Sequence, residues 1–495
     1  MRSLSLLAVL CAACVPIGAS AQTASRTLTG TVVASDGAPL PGATVTAPRL
    51  SVGALAGADG QFRLSQLPAD TLTIDVRFVG FETVRRLVDL RAGDVSTRFE
   101  MLAVVDEAGE VVVTEDAVAE ALERSAQSVA RLDAAELADV RGQTLGATLE
   151  RVPGVATLAT GPSISKPVIR GLHSDRVVIV RSGIVMQGQQ WGAEHAPEVD
   201  PFAPARVEVV RGAAGVEYGA GAIGGVVRLE DAALPTTPGW GGRVALNAFS
   251  NSEQLAGTAA VEGASKAVPG LGVRAQVSLR RAGDARTPDY VLGNTAFFER
   301  AGEVAAAYVR GGWEAEAHAS AYRTDLGIYR GSHFNTFDDL EEVIATGRPA
   351  VDYQFGYTID APKQVVAHDL AAIRLRRRLS GGASAQIQYG YQQNRRREFD
   401  ADRLAGRDPL ARPQIDLTLR THTLDAIYRH RPVGLLGGDA LWTVGVSGET
   451  QGNTNAVGYL VPNSRMVSGG AFGRGLWTRG DVTLEAGGRW EIHDL

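Results

Sequence analysis

Thiols are nearly absent from this chain: Cys11 and Cys14 are its only cysteines. Both fall in a stretch that begins Met1-Arg2, runs apolar from Leu4 to Ile17 and ends Ala19-Ser20-Ala21 before Gln22. A positive start, a short apolar core and an A-x-A site make a secretory signal peptide over residues 1–21. Cleavage there leaves a mature, exported chain without thiols. That excludes disulfides, zinc–thiolate sites, iron–sulfur clusters and a cysteine nucleophile. Charge of one sign is lacking too. With 49 basic and 55 acidic residues the net charge is −6, and nothing marks a nucleic-acid partner. Beyond residue 20 no apolar run approaches the ~18–20 residues that a membrane-crossing helix needs. The eight histidines form neither H-x-H nor H-E-x-x-H, and no G-x-S-x-G elbow occurs. Neither an enzyme nor a resident cofactor is expected.

What the chain has in excess is glycine, 58 of 495 residues, against a usual ~7 %, together with short alternating segments. From Thr27 to about residue 103, Leu28–Val33, Ala43–Thr46 and Asp59–Leu64 are strand-like, broken by Asp36-Gly37 and Pro39-Leu40-Pro41-Gly42. Leu72, Ile74, Val76 and Phe78 alternate with polar residues, which predicts a strand with one buried face. The G-x-V, P-L-P-G-A-x-V and D-G-x-F steps make residues 27–103 resemble a carboxypeptidase-regulatory-like β-sandwich, with a structural or interaction role.

Beyond it lies Glu110-Val111-Val112-Val113-Thr114, an edge strand by composition, or a peptide that binds by adding a strand to a partner's sheet. Residues 117–130 and 134–140 read as helix, and strands are predicted at 167–170, 176–180 and 207–210. A literal G-x-G-x-x-G at Gly219, Gly221 and Gly224 is followed by strand rather than helix, which argues against a dinucleotide site. Pro153-Gly154-Val155, Arg170-Gly171, Arg206 to Gly212 with Glu208 and Arg211, Tyr218-Gly219 and Gly224-Gly225 follow in an order that resembles the plug of a TonB-dependent outer-membrane receptor. Ala213 and Arg181-Ser182-Gly183 depart from the usual Pro and Asp-Gly. The resemblance implies a TonB box at 108–115 (Glu110, Val111, Val112, Val113, Thr114), a plug at 116–232 and the TonB energy-transducing complex as partner.

Strands of alternating character after residue 240 accord with a barrel. Val273 to Leu279, Ala385 to Tyr391, Trp442 to Val446 and Val482 to Trp490 place apolar residues on one face and Arg, Gln and Glu on the other. Apart from the first, the connections alternate long and short, as outer loops and inner turns do. Trp313, Tyr391, Trp442, Trp477 and Trp490 fit aromatic girdles near strand ends. About eleven strands fit into residues 240–495, whereas the family closes with about 22. The expectation is a mainly β chain: a small N-terminal sandwich, an α/β plug and about half of a transmembrane antiparallel barrel, C-terminally truncated. It would reside in the outer membrane of a Gram-negative-type bacterium, in contact with outer-membrane lipid.

Two plug stretches carry ligand chemistry, one around His173 and one from Met186 to Asp200 with Gln190, Trp191, Glu194 and His195. Imidazole and carboxylate suit a transition metal or ferric chelate, and they equally suit hydrogen bonding between plug and barrel. The 324–366 loop adds His333, Asp338, Asp339, Glu341 and Glu342, where a solvated acidic face is an equal reading. The resemblance implies energised uptake of an iron complex (siderophore or haem) or metal. Import of cobalamin or an oligosaccharide, or a non-transporting binding or signalling fragment, are the alternatives.

Overall fold

The computed structural model describes residues 25–101 apart from 35–36, 48–49, 51, 79–80 and 82–83, and residues 128–495 apart from 191, 193, 333–336, 350, 401–411 and 458–460. The leader, the 110–114 segment, Trp191 and His333 lie outside the described residues. The chain divides into two compact units, one up to Val113 and one from Thr114.

In the first unit, alternation builds two small sheets. Gln61–Leu67, Arg26–Ala34 and Val95–Met101 form one. Val52–Leu55, Thr44–Ala47, Thr71–Arg77 and Val84–Asp89 form the other. Their inward residues, among them Leu28, Val45, Phe62, Ile74 and Phe99, fuse into one core, with Phe62 and Phe99 tilted against each other at 5.8 Å. Asp75 is buried within it and is neutralised by Arg85 at 2.8 Å.

In the second unit, an inner domain over 128–230 carries a five-stranded sheet in the order Ile184–Val185, Val177–Arg181, Gly225–Glu230, Arg206–Arg211, Ser128–Leu132. The two-residue turn Ser182-Gly183, with φ of 48° and 79°, joins the first two strands of that order in the hairpin geometry that glycine favours. Helix Ala134–Ala138 starts at an Asp133–Glu136 capping box, and helix Leu145–Leu149 at Thr144. The helix expected up to Ala130 is corrected here. Ser128–Leu132 is a strand paired with Arg206–Arg211, because its neighbour's edge satisfies the backbone that an Ala-rich composition would otherwise coil.

Residues from Gly239 onward form a 12-stranded sheet in which Val433–Leu435 pairs only with Gly438–Asn455. The others follow one another antiparallel from Gly239–Phe249 to Val482–Asp494. Several strands outrun the apolar alternation. Ser384–Phe399 and Lys363–Arg378 each span 16 residues, since the ladder persists where both faces are polar. Tyr391 therefore sits within a strand rather than at its end. In the long 328–362 connection, helix Phe337–Thr346 carries Asp338, Glu341 and Glu342. No described helix is long and apolar enough to cross a membrane. The inner domain packs on the concave face of this sheet, where Leu370 and Ala372 join its core.

Candidate functional site

The segment from Met186 to Asp200 leaves the hairpin and runs along strand Ser384–Phe399 toward the sheet end that carries the long connections. At its start, Gln187 N donates to Gln392 Oε1 at 2.8 Å and Gln392 Nε2 donates back to Val185 O at 2.8 Å. Gly188 adopts a φ of 110°, and a Cβ there would stand 2.6 Å from the Asn394 side chain. At that φ glycine alone is unstrained, and its missing Cβ leaves room for the Asn394 amide.

From inside, Lys166 pins the segment. It lies in strand Ser165–Ile169 with no exposed surface, and its ammonium donates to Gln189 O at 2.6 Å and Gly192 O at 2.8 Å. From outside, the sheet holds it. His195 Nε2 meets Glu398 Oε1 at 2.8 Å. Buried Glu198 accepts from Arg396 at 2.5 Å and lies 3.5 Å from His368 Nδ1. Asp200 accepts from Phe202 N at 2.9 Å and Gln276 Nε2 at 3.2 Å. Below, Arg181 bridges Glu303 of the sheet and Asp231. None of these cross-sheet partners was named by the sequence. The pairs are separated by 76 to 205 residues, and the only local cue is a charge inside the apolar run around Lys166.

Burial governs the protonation of these groups. It pushes the Lys166 ammonium down to about 8 and the His195 imidazole below its usual range, against the pull of Glu398. It also opposes ionisation of Glu198, but His368 and Arg396 outweigh it and hold that carboxyl low. Burial pushes Asp200 up. A depressed imidazole pKa means that the opened segment binds the proton more readily than the docked one. Docking is then favoured above the free histidine value near 6.5 and lost as pH falls below it. Hydrogen exchange of residues 186–200, corrected for intrinsic rates, should show protection declining between pH 7.5 and 5.5. The decline should be smaller in His195→Gln.

The sequence-derived residues separate into two groups. Those of the plug motifs serve the scaffold. Pro153 O accepts from Arg211 at 2.8 Å, while Gly154, Arg170, Gly171, Gly212 and Gly219 hold positive φ between elements and Gly225 does so at the start of its strand. Glu208 is shared by Arg131 at 2.8 Å, Arg228 at 3.4 Å and Arg206 at 3.6 Å. Gly224 N donates to Arg176 O at 2.7 Å, and Tyr218 packs beside Val226. The ligand candidates are not gathered at one point. His173 is exposed, with Nδ1 2.9 Å from Ser174 Oγ. Gln190 contacts Gly188 N and Gln187 and lines a cavity of about 550 Å³ between inner domain and sheet. Glu194 is half-buried beside His195, which faces the sheet. Among the described residues no cluster of three or more His, Cys, Asp or Glu is arranged to hold a metal ion. The cavity is instead lined by polar and charged groups such as Gln187, Arg228, Arg374, Gln388 and Arg489.

Known proteins share both parts. Residues 121–226 match the TonB-dependent receptor plug domain, and residues 27–101 the carboxypeptidase regulatory-like domain. A stretch of 94 residues is 37 % identical to a hemin receptor of Yersinia pestis, covering 18 % of this chain and 14 % of that one. The siderophore receptor PirA of Pseudomonas aeruginosa superposes with a TM-score of 0.52 at 16 % identity, over 74 % of this chain and 56 % of its own. A ferric enterobactin receptor (PfeA) mutant from the same organism gives 0.58 at 16 % identity, over 78 % and 59 %. The chain thus spans little more than half the length of these receptors and a small part of the hemin receptor. It carries a TonB-dependent receptor plug domain, seated against a sheet with the fold of the TonB-dependent siderophore receptors, and a carboxypeptidase regulatory-like domain.

Proposed function

We propose that this protein is an outer-membrane receptor for TonB-dependent uptake of an iron complex, a ferric siderophore or haem. The observation that carries the reading is a plug domain bound to the concave face of a sheet whose convex face is uncharged between two rims. On strand Trp313–Gly327, Trp313, Ala315, Ala317, Ala319 and Ala321 point outward before Arg323. Ten residues span about 33 Å along a strand and, at a tilt of about 40°, about 25 Å along the barrel axis, the height of an outer-membrane apolar band. In this reading 1–21 is the leader, 27–103 the accessory sandwich, 108–115 the TonB box, 116–232 the plug and 240–495 barrel.

Transport then follows from mechanics rather than bond chemistry. A ligand captured near the long connections rests on the 186–200 segment, and a pull on the box shifts the plug against the polar groups that hold it to the wall. Gln190, Glu194, His195, Trp191 and His173 are the residues proposed to meet the ligand. The similarity to hemin and siderophore receptors supports an iron complex as cargo. Purified full-length protein is expected to bind haemin or a ferric siderophore, with His195→Ala costing about 1–3 kcal/mol by leaving buried partners unpaired. Binding of cobalamin or an oligosaccharide in place of every iron complex would overturn the cargo assignment.

A further inference from the structure

The ammonium of Lys166 is held by neutral acceptors. Lys166 lies in strand Ser165–Ile169, which pairs with Val155–Ala159 in a two-stranded sheet apart from the five-stranded one. Its side chain has no exposed surface, and its hydrogen-bond partners are the carbonyls of Gln189 and Gly192. Two acidic groups act on it from a distance, Glu198 and Asp175. Glu198 is already engaged, accepting from Arg396 at 2.5 Å with His368 at 3.5 Å, and Asp175 is exposed. Arg396 adds a like charge that acts against the ammonium.

A buried charge costs free energy unless an opposite charge accompanies it. Two carbonyl dipoles compensate only in part, and an uncharged amide donates to carbonyls without that cost. Direction and energy therefore separate at this residue. The hydrogen bonds fix where the 189–192 turn sits, and the charge makes sitting there less favourable. Gln189 and Gln190 also border the cavity of about 550 Å³, so a small displacement of the turn opens the ammonium to that space.

We infer that Lys166 is a release residue: its buried charge keeps the docked 186–200 segment close to its opening point, so that a modest pull frees it from strand Ser165–Ile169. The inference rests on the reading that the segment moves during uptake. An uncharged donor at this position would hold the turn more firmly and demand more work from the energy-transducing partner.

The charge can be read through pH. In the docked segment burial, followed by Arg396, brings the ammonium down to about 8, whereas in the open segment it returns toward the free value of 10.5. The open state therefore binds the proton more readily, and docking strengthens as pH rises from 7 toward 10. The other groups around Lys166 are Glu198, Asp175, His195, His368 and Arg396. Carboxylates and imidazoles ordinarily titrate below pH 7 and guanidinium above 12, which leaves the window from 7 to 9 to the lysine.

Hydrogen exchange of residues 186–192 in purified full-length protein, corrected for intrinsic rates, should show protection rising about tenfold between pH 7 and 9. In Lys166→Gln, and in Lys166→Met as a second variant, the rise should vanish while the strands of the large sheet exchange as in wild type. Protection that falls or stays level in wild type would overturn the inference, because the ammonium would then hold the segment more than it loosens it. A rise that persists in both variants would overturn it too, by assigning the effect to another group. No cargo enters this measurement, so its outcome is independent of the iron-complex reading. With haemin or a ferric siderophore as the probe, Lys166→Gln should accumulate severalfold less per surface-bound complex than wild type. Equal accumulation per bound complex would overturn the release role, and accumulation of neither probe by wild type would count against the cargo reading instead.

Discussion

Val112→Pro is expected to reduce uptake of the iron complex to the background of cells lacking the protein, while surface binding of the same complex stays at the wild-type level. Residues 110–114 alternate too little to be amphipathic and carry three consecutive valines, the composition of a segment that pairs by its backbone. Proline removes one donor from that pairing and fixes φ, so a ladder built on the segment is interrupted at its centre. The residues proposed to meet the ligand lie elsewhere in the sequence, at 173 and in the 186–200 segment. Loss of binding in parallel with uptake would mean that the segment acts on the fold instead of on energy transfer.

The second large effect is expected at the docked segment. Arg396→Met leaves the Glu198 carboxylate buried beside His368 with its closest partner gone. Removing one member of a buried ion pair costs about 3–5 kcal/mol. That cost corresponds to a loss of about two to three and a half orders of magnitude in docking equilibrium. It should be read as faster hydrogen exchange across 186–200, with the strands of the large sheet unaffected. The double variant Glu198→Leu/Arg396→Met should recover much of the protection, because no unpaired charge remains. Unchanged exchange in Arg396→Met would show that the Glu198–Arg396 pair does not hold the segment.

Much of the architecture was legible because it is written in local periods. Residues 273–279 and 442–446 alternate cleanly, and the sandwich shows both its strands and its turns. Where periodicity fades, the reading fell short. Ser128–Leu132 is too short and too Ala-rich a neighbourhood to separate strand from helix. Residues 392–399 stay in the sheet although most of their side chains are polar. The holding contacts of the site were illegible for a different reason. His195 meets Glu398 across 203 residues and Glu198 meets Arg396 across 198, and one sequence gives no signal for such pairs. The stretch from Met186 to Asp200 stood out by composition, but composition could not say that His195 turns to the wall while Gln190 lines the cavity.

The account is tested most directly by iron accumulation in cells producing the full-length protein under iron depletion, with labelled haemin or a labelled ferric siderophore as the sole iron source. It predicts that at least one of these complexes accumulates, and that collapsing the inner-membrane proton gradient stops accumulation without releasing the complex bound at the surface. Accumulation that continues after the gradient is collapsed, or none from any iron complex, would contradict it.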